Sequence, residues 1–289
     1  MPNIAFTNLR VRSFTLDRLI LFWEIENTPL DPLDYDWYVE RSESARGPYD
    51  NIAGPFQDRY RFIDHRVDLL HRWRTIFYRI KSVRKADTSD VIYSEPARMA
   101  AEPDLIATEI RVQEQVLFQE YIGRRCWLFP ARTFGQHCPT CWDPTLRKSK
   151  RSRCPTCYDT GFAGGYMHPI ECWVQIEPSP KSTQPMGVGE TQQSNTNGRL
   201  SAFPPVKPRD ILVEPENRRW RIVTVSSTER LRATLRQEIS LHEITPGDVE
   251  FDIHINIDDL ASLKPSPERN FTNPQCLGAL SGARLSGVF

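Results

Sequence analysis

Two copies of one tetrapeptide, Cys138-Pro139-Thr140-Cys141 and Cys154-Pro155-Thr156-Cys157, stand twelve residues apart. Each Cys-x-x-Cys closes a tight turn that aims two sulfurs at one point, and two such turns supply the four thiolates of a closed tetrahedral zinc site. Four protein ligands leave no open position for water, so the zinc predicted here is structural. Its binding energy would be folding energy for a segment too short to build a core. Paired disulfides and redox chemistry compete for the same residues, but a thioredoxin-like role needs a βαβ context that neither copy has. His137, beside Cys138, is a substitute ligand. Cys126, Cys172 and Cys276 read as small buried hydrophobes.

The segment between the two turns carries Arg147, Lys148, Lys150, Arg151 and Arg153. Five cations on a metal-stiffened hairpin would neutralise phosphates without reading bases, or would meet an acidic neighbour. From Tyr121 to Thr160 there are eight basic residues against two acidic ones, and from Ile244 to Phe289 six acids, Asp248, Glu250, Asp252, Asp258 and Asp259 among them, against three bases. Opposite patches on one chain can dock subunits head to tail. The whole chain is neutral, with 37 bases and 37 acids, so nothing global directs it to nucleic acid. Gly161, Gly164 and Gly165 beside aromatics suit a backbone turning behind the metal site, and no glycine pattern makes a nucleotide fingerprint. No Ser/His/Asp, paired-carboxylate or open-metal constellation assembles from the sequence, and six scattered His do not supply one. The expectation is therefore a protein that is not an enzyme.

These residues need elements to hold them, and the periodicities predict a mainly β chain. Residues 1–100 read as a β-sandwich: Leu19, Leu21, Trp23 and Ile25 alternate on one face, Tyr35 to Arg41 and Thr75 to Val83 are further strands, and Gly47-Pro48 and Gly54-Pro55 are turns. One amphipathic helix is predicted over 104–125, capped by Asp104 and ended at Gly123, with Ile106, Ile110, Leu117 and Tyr121 as its packing stripe. The ribbon takes 126–168. Residues 169–250 alternate as a small antiparallel barrel in which Leu235, Ile239 and Leu241 share a face. Their 178–208 stretch, with six Pro, three Gly and four Ser, reads as a long loop. Residues 251–289 read as an extended arm. No apolar run approaches the 18 to 20 residues of a membrane span, and Met1-Pro2-Asn3-Ile4 opens no secretory signal, so synthesis in a cytoplasm and no membrane partner are expected.

Trp23, Tyr38 and the phrase Phe77-Tyr78-Arg79-Ile80-Lys81-Ser82-Val83, followed by Ser94-Glu95-Pro96, resemble a fibronectin type III domain. The resemblance implies a Trp filling the core and a late Tyr tying a loop to the sandwich. The knuckle followed by Thr160-Gly161-Phe162 is similar to the cysteine-rich region of J-protein chaperones, with one pair of knuckles where that family has two. Arg209 to Val213, Arg219 to Val225 and Arg236 to Leu241, following a helix and a basic Cys-x-x-Cys ribbon, resemble the β-barrel neck proteins of tailed bacteriophages, the head-closure and adaptor proteins. That resemblance implies a virion subunit in a homo-oligomeric ring at the neck or head-to-tail connector, with portal, adaptor or tail subunits as partners and long loops that approach packaged DNA. The alternative is a zinc-ribbon nucleic-acid-binding protein using the basic loop.

Overall fold

A computed structural model describes residues 4–15, 18–65, 67, 75–99, 104–150, 152–178, 182–185, 190–231, 233–253 and 255. The chain is mainly β, with one α-helix among the described residues. It divides into two compact units, residues 1–108 with 131–168 and residues 109–130 with 169–289.

In the first unit β1 (Phe6–Thr15), β2 (Arg18–Ile25), β3 (Tyr35–Ser42), β4 (Asp50–Phe56), β5 (Arg61–Asp64), β6 (Phe77–Arg84), β7 (Val91–Tyr93) and β8 (Ala97–Arg98) form two antiparallel sheets. Their orders are β1-β2-β5 and β4-β3-β6-β7, with β8 also beside β6. The predicted inner face of β2 is buried at Leu19, Leu21, Trp23 and Ile25. It packs in one cluster with Tyr35, Trp37 and Val39 of β3 and Tyr78 and Ile80 of β6, which makes a sandwich. The Tyr78 hydroxyl donates to Asp64 Oδ2 at 2.8 Å, and Arg41 donates to the same oxygen at 2.9 Å, tying the two sheets. Burial and the Asp64 charge hold the Tyr78 phenol well above its ordinary pKa, so it stays a donor.

The chain continues through α1 (Leu105–Leu117) and a π turn (Phe118–Ile122) to β9 (Arg124–Phe129). Next come the short hairpin β10 (Trp142–Asp143) and β11 (Lys148–Ser149), then β12 (Ile170–Ile176), β13 (Ser182–Pro185), β14 (Glu190–Gln193), β15 (Asn195–Ser201), β16 (Ile211–Val213), β17 (Arg219–Arg230) and β18 (Ala233–Glu243). A closed barrel runs β12-β15-β18-β17-β16-β9. Leu128, Val174, Leu200, Ile211, Val213, Ile222, Ile239 and Leu241 are buried in it, so its interior is side chain rather than channel. Buried Gln237 is satisfied on every side: its amide donates to the Ser201 and Pro204 carbonyls at 2.9 and 2.8 Å, and its oxygen accepts from Val206 N at 3.0 Å.

Three features differ from the sequence reading. The 178–208 stretch is largely built: β13 pairs with β14, and β15 is a barrel strand. Of its inward residues, Thr196, Gly198 and Leu200, only Leu200 is large and apolar, so no alternating pattern is advertised. Residues 126–129 belong to the barrel, and the ribbon, at 131–168, shares a unit with the sandwich.

The helix is inverted. Asp104 caps it as expected, accepting from Ile106 N at 3.0 Å. However, the stripe expected to pack is outside, with Ile106 56%, Leu117 37% and Tyr121 70% exposed, while Ala107, Thr108, Arg111, Gln115 and Phe118 are buried. The inner face is fastened by polar bonds. Arg111 Nε donates to Thr234 O at 2.6 Å, Arg236 pairs with Glu114, and Ser201 Oγ donates to Gln115 Oε1 at 2.6 Å.

Past the barrel, Arg219 donates to the carbonyls of Phe251 and Ile253 at 2.7 and 2.8 Å, which pins the start of the arm. The arm's remainder, including Asp258, Asp259 and Cys276, lies outside the described residues apart from residue 255.

Candidate metal centre

Cys138, Cys141, Cys154 and Cys157 are all fully buried, and their sulfurs lie within 4.8 Å of one another. The closest pairs are Cys138 with Cys154 at 3.9 Å and Cys141 with Cys157 at 3.5 Å. A disulfide needs about 2.0 Å, so these are four free thiols. A tetrahedral ion with metal–sulfur bonds of about 2.3 Å spaces its sulfurs about 3.8 Å apart, and the cluster brackets that spacing. The four cysteines can therefore hold a metal ion, as the duplicated motif predicts.

The local chain explains the convergence. Each tetrapeptide is a helical turn in which the first Cys carbonyl accepts from the residue after the second Cys: Trp142 N to Cys138 O at 3.1 Å and Tyr158 N to Cys154 O at 2.9 Å. The two turns face each other, with the Thr140 and Thr156 hydroxyls 3.2 Å apart. Behind the second turn the backbone doubles back through left-handed Tyr158, Asp159, Gly161, Gly164 and Gly165. A Cβ on Gly165 would stand 3.0 Å from the Cys157 carbonyl and 2.9 Å from the Tyr158 ring, so only glycine fits, which is the steric role expected of these glycines.

The cluster polarises its own thiols unequally. Burial raises the pKa of Cys154, but backbone N–H groups of Cys157 and Thr156 and the thiols of Cys157 and Cys141 outweigh it and bring the group down to about 6. Burial dominates at Cys141 and Cys157 and pushes both up. A cation placed among the sulfurs would draw the remaining protons off.

Sequence reasoning missed that the repeat is six residues long, Cys-Pro-Thr-Cys-Trp-Asp and Cys-Pro-Thr-Cys-Tyr-Asp. The two aspartates brace opposite sides of the site. Asp159 accepts from Cys154 N at 2.8 Å and Arg153 N at 2.9 Å, fixing the entry to its knuckle. Asp143 accepts from Thr145 N at 2.8 Å and Leu146 N at 3.2 Å, shaping the tip beyond its own knuckle. Those backbone bonds hold the Asp143 carboxyl below its ordinary pKa. His137 is not in the cluster. Its ring stacks on Trp142, 3.7 Å between centroids, and on Phe162 at 4.9 Å, as a wall of the ribbon.

The ribbon is also anchored to the sandwich, which its sequence does not announce. Phe134 and Met167 pack against the sandwich core, Phe134 edge-on to Tyr60 at 4.8 Å. Arg132 pairs with Asp58, and Gln136 donates to Pro29 O at 3.1 Å. The basic loop is open to solvent. Arg147, Lys148, Lys150 and Arg153 are all exposed, Lys150 lies 3.8 Å from Asp143, and Arg151 is outside the described residues. Of the acids expected to receive this loop, Glu250 is instead gripped by Arg221 at 3.0 and 2.7 Å, with Asp248 3.8 Å from the same guanidinium. No helix among the described residues is long and apolar enough to cross a membrane.

No protein-family model and no curated protein matches the sequence. Among solved structures, one described as "Titin kinase and its flanking domains" is similar at a TM-score of 0.26 and 8% identity, over 83% of this chain and 37% of that one. The chain thus spans little more than a third of that structure's length, and so distant a likeness carries neither fold nor function.

Proposed function

We propose that the protein is a non-enzymatic structural subunit of a tailed-phage particle, set as a homo-oligomeric ring at the neck or head-to-tail connector, with one structural zinc per chain. The observation that carries the reading is the barrel itself. Its six strands close on a solid core, so what the barrel offers is surface: the far end of the β17–β18 hairpin, exposed from Ser226 to Leu231, and the outer face of α1. A filled barrel bearing projections is suited to joining neighbours rather than to enclosing a small ligand. The resemblance of the barrel phrases to neck proteins points the same way, toward portal, adaptor or tail subunits as partners and the virion as location. Zinc is favoured for the centre because four thiolates in tetrahedral spacing suit it, and a closed site asks only for structure.

The second reading, a zinc-ribbon protein binding nucleic acid, is supported by the exposed Arg147, Lys148, Lys150 and Arg153. It predicts duplex binding that weakens steeply with salt. The test of the first reading is compositional: quantitative mass spectrometry of purified particles should find the chain in a fixed ring-like copy number per portal. Absence from the particles would refute it.

A further inference from the structure

The inverted helix leaves a groove of about 410 Å³ along α1, lined by Ile110, Val116, Leu117 and Tyr121 with Glu109, Gln113 and Glu114, Glu109 accepting from Gln113 Nε2 at 3.0 Å. No base lines it; Glu114 is shared with Arg236, and exposed Glu120 precedes the lining residue Tyr121. The other unit carries an exposed apolar residue among bases. At the tip of the metal ribbon Leu146 is 62% exposed, and Arg147, Lys148 and Lys150 beside it are exposed as well. The tip is stiff, closed by the β10–β11 ladder, shaped by Asp143 through Thr145 N and Leu146 N, and tied to the knuckle by Lys150 N donating to Cys141 O at 2.7 Å. Little conformational freedom would be lost on docking it.

We infer that the ribbon tip of one copy docks in the α1 groove of a second copy, Leu146 entering between Ile110, Leu117 and Tyr121 while Arg147 and Lys148 meet Glu109 and Glu120. An apolar knob with a basic rim matches an apolar groove with an acidic one in both respects. Because tip and groove are different surfaces, the contact is head to tail and propagates into a ring or a filament. The inference rests on the self-assembling reading above and names the contact that would build it.

Sedimentation of the metal-loaded full chain tests it. The wild type should sediment as an oligomer that salt weakens. A tip variant, Leu146→Glu, and a groove variant, Ile110→Arg with Tyr121→Arg, should each sediment as monomers with unchanged circular dichroism and metal content. Mixed in equal amounts they should give a dimer and nothing larger, since each mixed pair retains one intact tip and one intact groove. Oligomers that persist in either variant would overturn the contact while leaving a ring built through other surfaces. A wild type that stays monomeric would overturn the contact and the self-assembly reading together, and oligomers formed only on adding duplex DNA would assign the tip to nucleic acid.

Discussion

At the scale of single residues, the metal centre depends on four sulfurs that only a cation can hold together fully deprotonated. Cys154 is already poised at about 6, whereas Cys141 and Cys157 are held up by burial. Metal binding near pH 7 should therefore release two or more protons per chain, which calorimetry in two buffers of different ionisation enthalpy reads directly. The sign follows from the ligands: affinity should fall as pH falls, because protons compete for thiolates. A pH-independent affinity between 6 and 8 would contradict the assignment. Linkage adds a smaller effect in the metal-free chain. The depressed Cys154 contributes stability that is complete above about 9 and gone below about 6. The ligand set was legible because identical residues recur at identical spacing. The roles of Asp143 and Asp159 were not, since the same position in the repeat bonds forward in one copy and backward in the other.

Among the elements, the ribbon and the sandwich form one unit, and a mutation in either should be felt in both. Cys154→Ser should abolish stoichiometric metal binding and unfold 131–168. It should also cost the sandwich about 1 to 3 kcal/mol in denaturant titrations, the value of uncovering the packing of Phe134 and Met167. A sandwich with wild-type stability in that variant would mean the ribbon is only tethered. Trp23→Ala should cost about 3 to 5 kcal/mol, because Trp23 is buried in the cluster that joins both sheets and its removal empties a large site. Period-two strands with large residues, such as β2, were legible because burial and pattern coincide. The helix was misread for a physical reason: Thr108, Arg111 and Gln115 repeat at helical spacing as regularly as Ile106, Ile110 and Leu117 do. Periodicity finds the stripes, but the hydrogen-bonding groups offered by β18 decide which one is buried.

For the whole molecule, we propose an assembly subunit that carries a knob in one unit and an acidic groove in the other, on a chain of zero net charge. The sequence announced the sandwich, the barrel and the thiolate cluster separately. It did not announce that the ribbon is inserted between barrel strands β9 and β12 yet folds with the sandwich, because that is decided by contacts distant in sequence. Native mass spectrometry of the purified chain tests the central claim most directly, since one spectrum reads both metal and assembly. The account predicts a closed oligomer carrying one zinc per subunit, which falls to monomers when a chelator removes the zinc and the knob loses its frame. A monomer with or without zinc, or an oligomer indifferent to its removal, would contradict it.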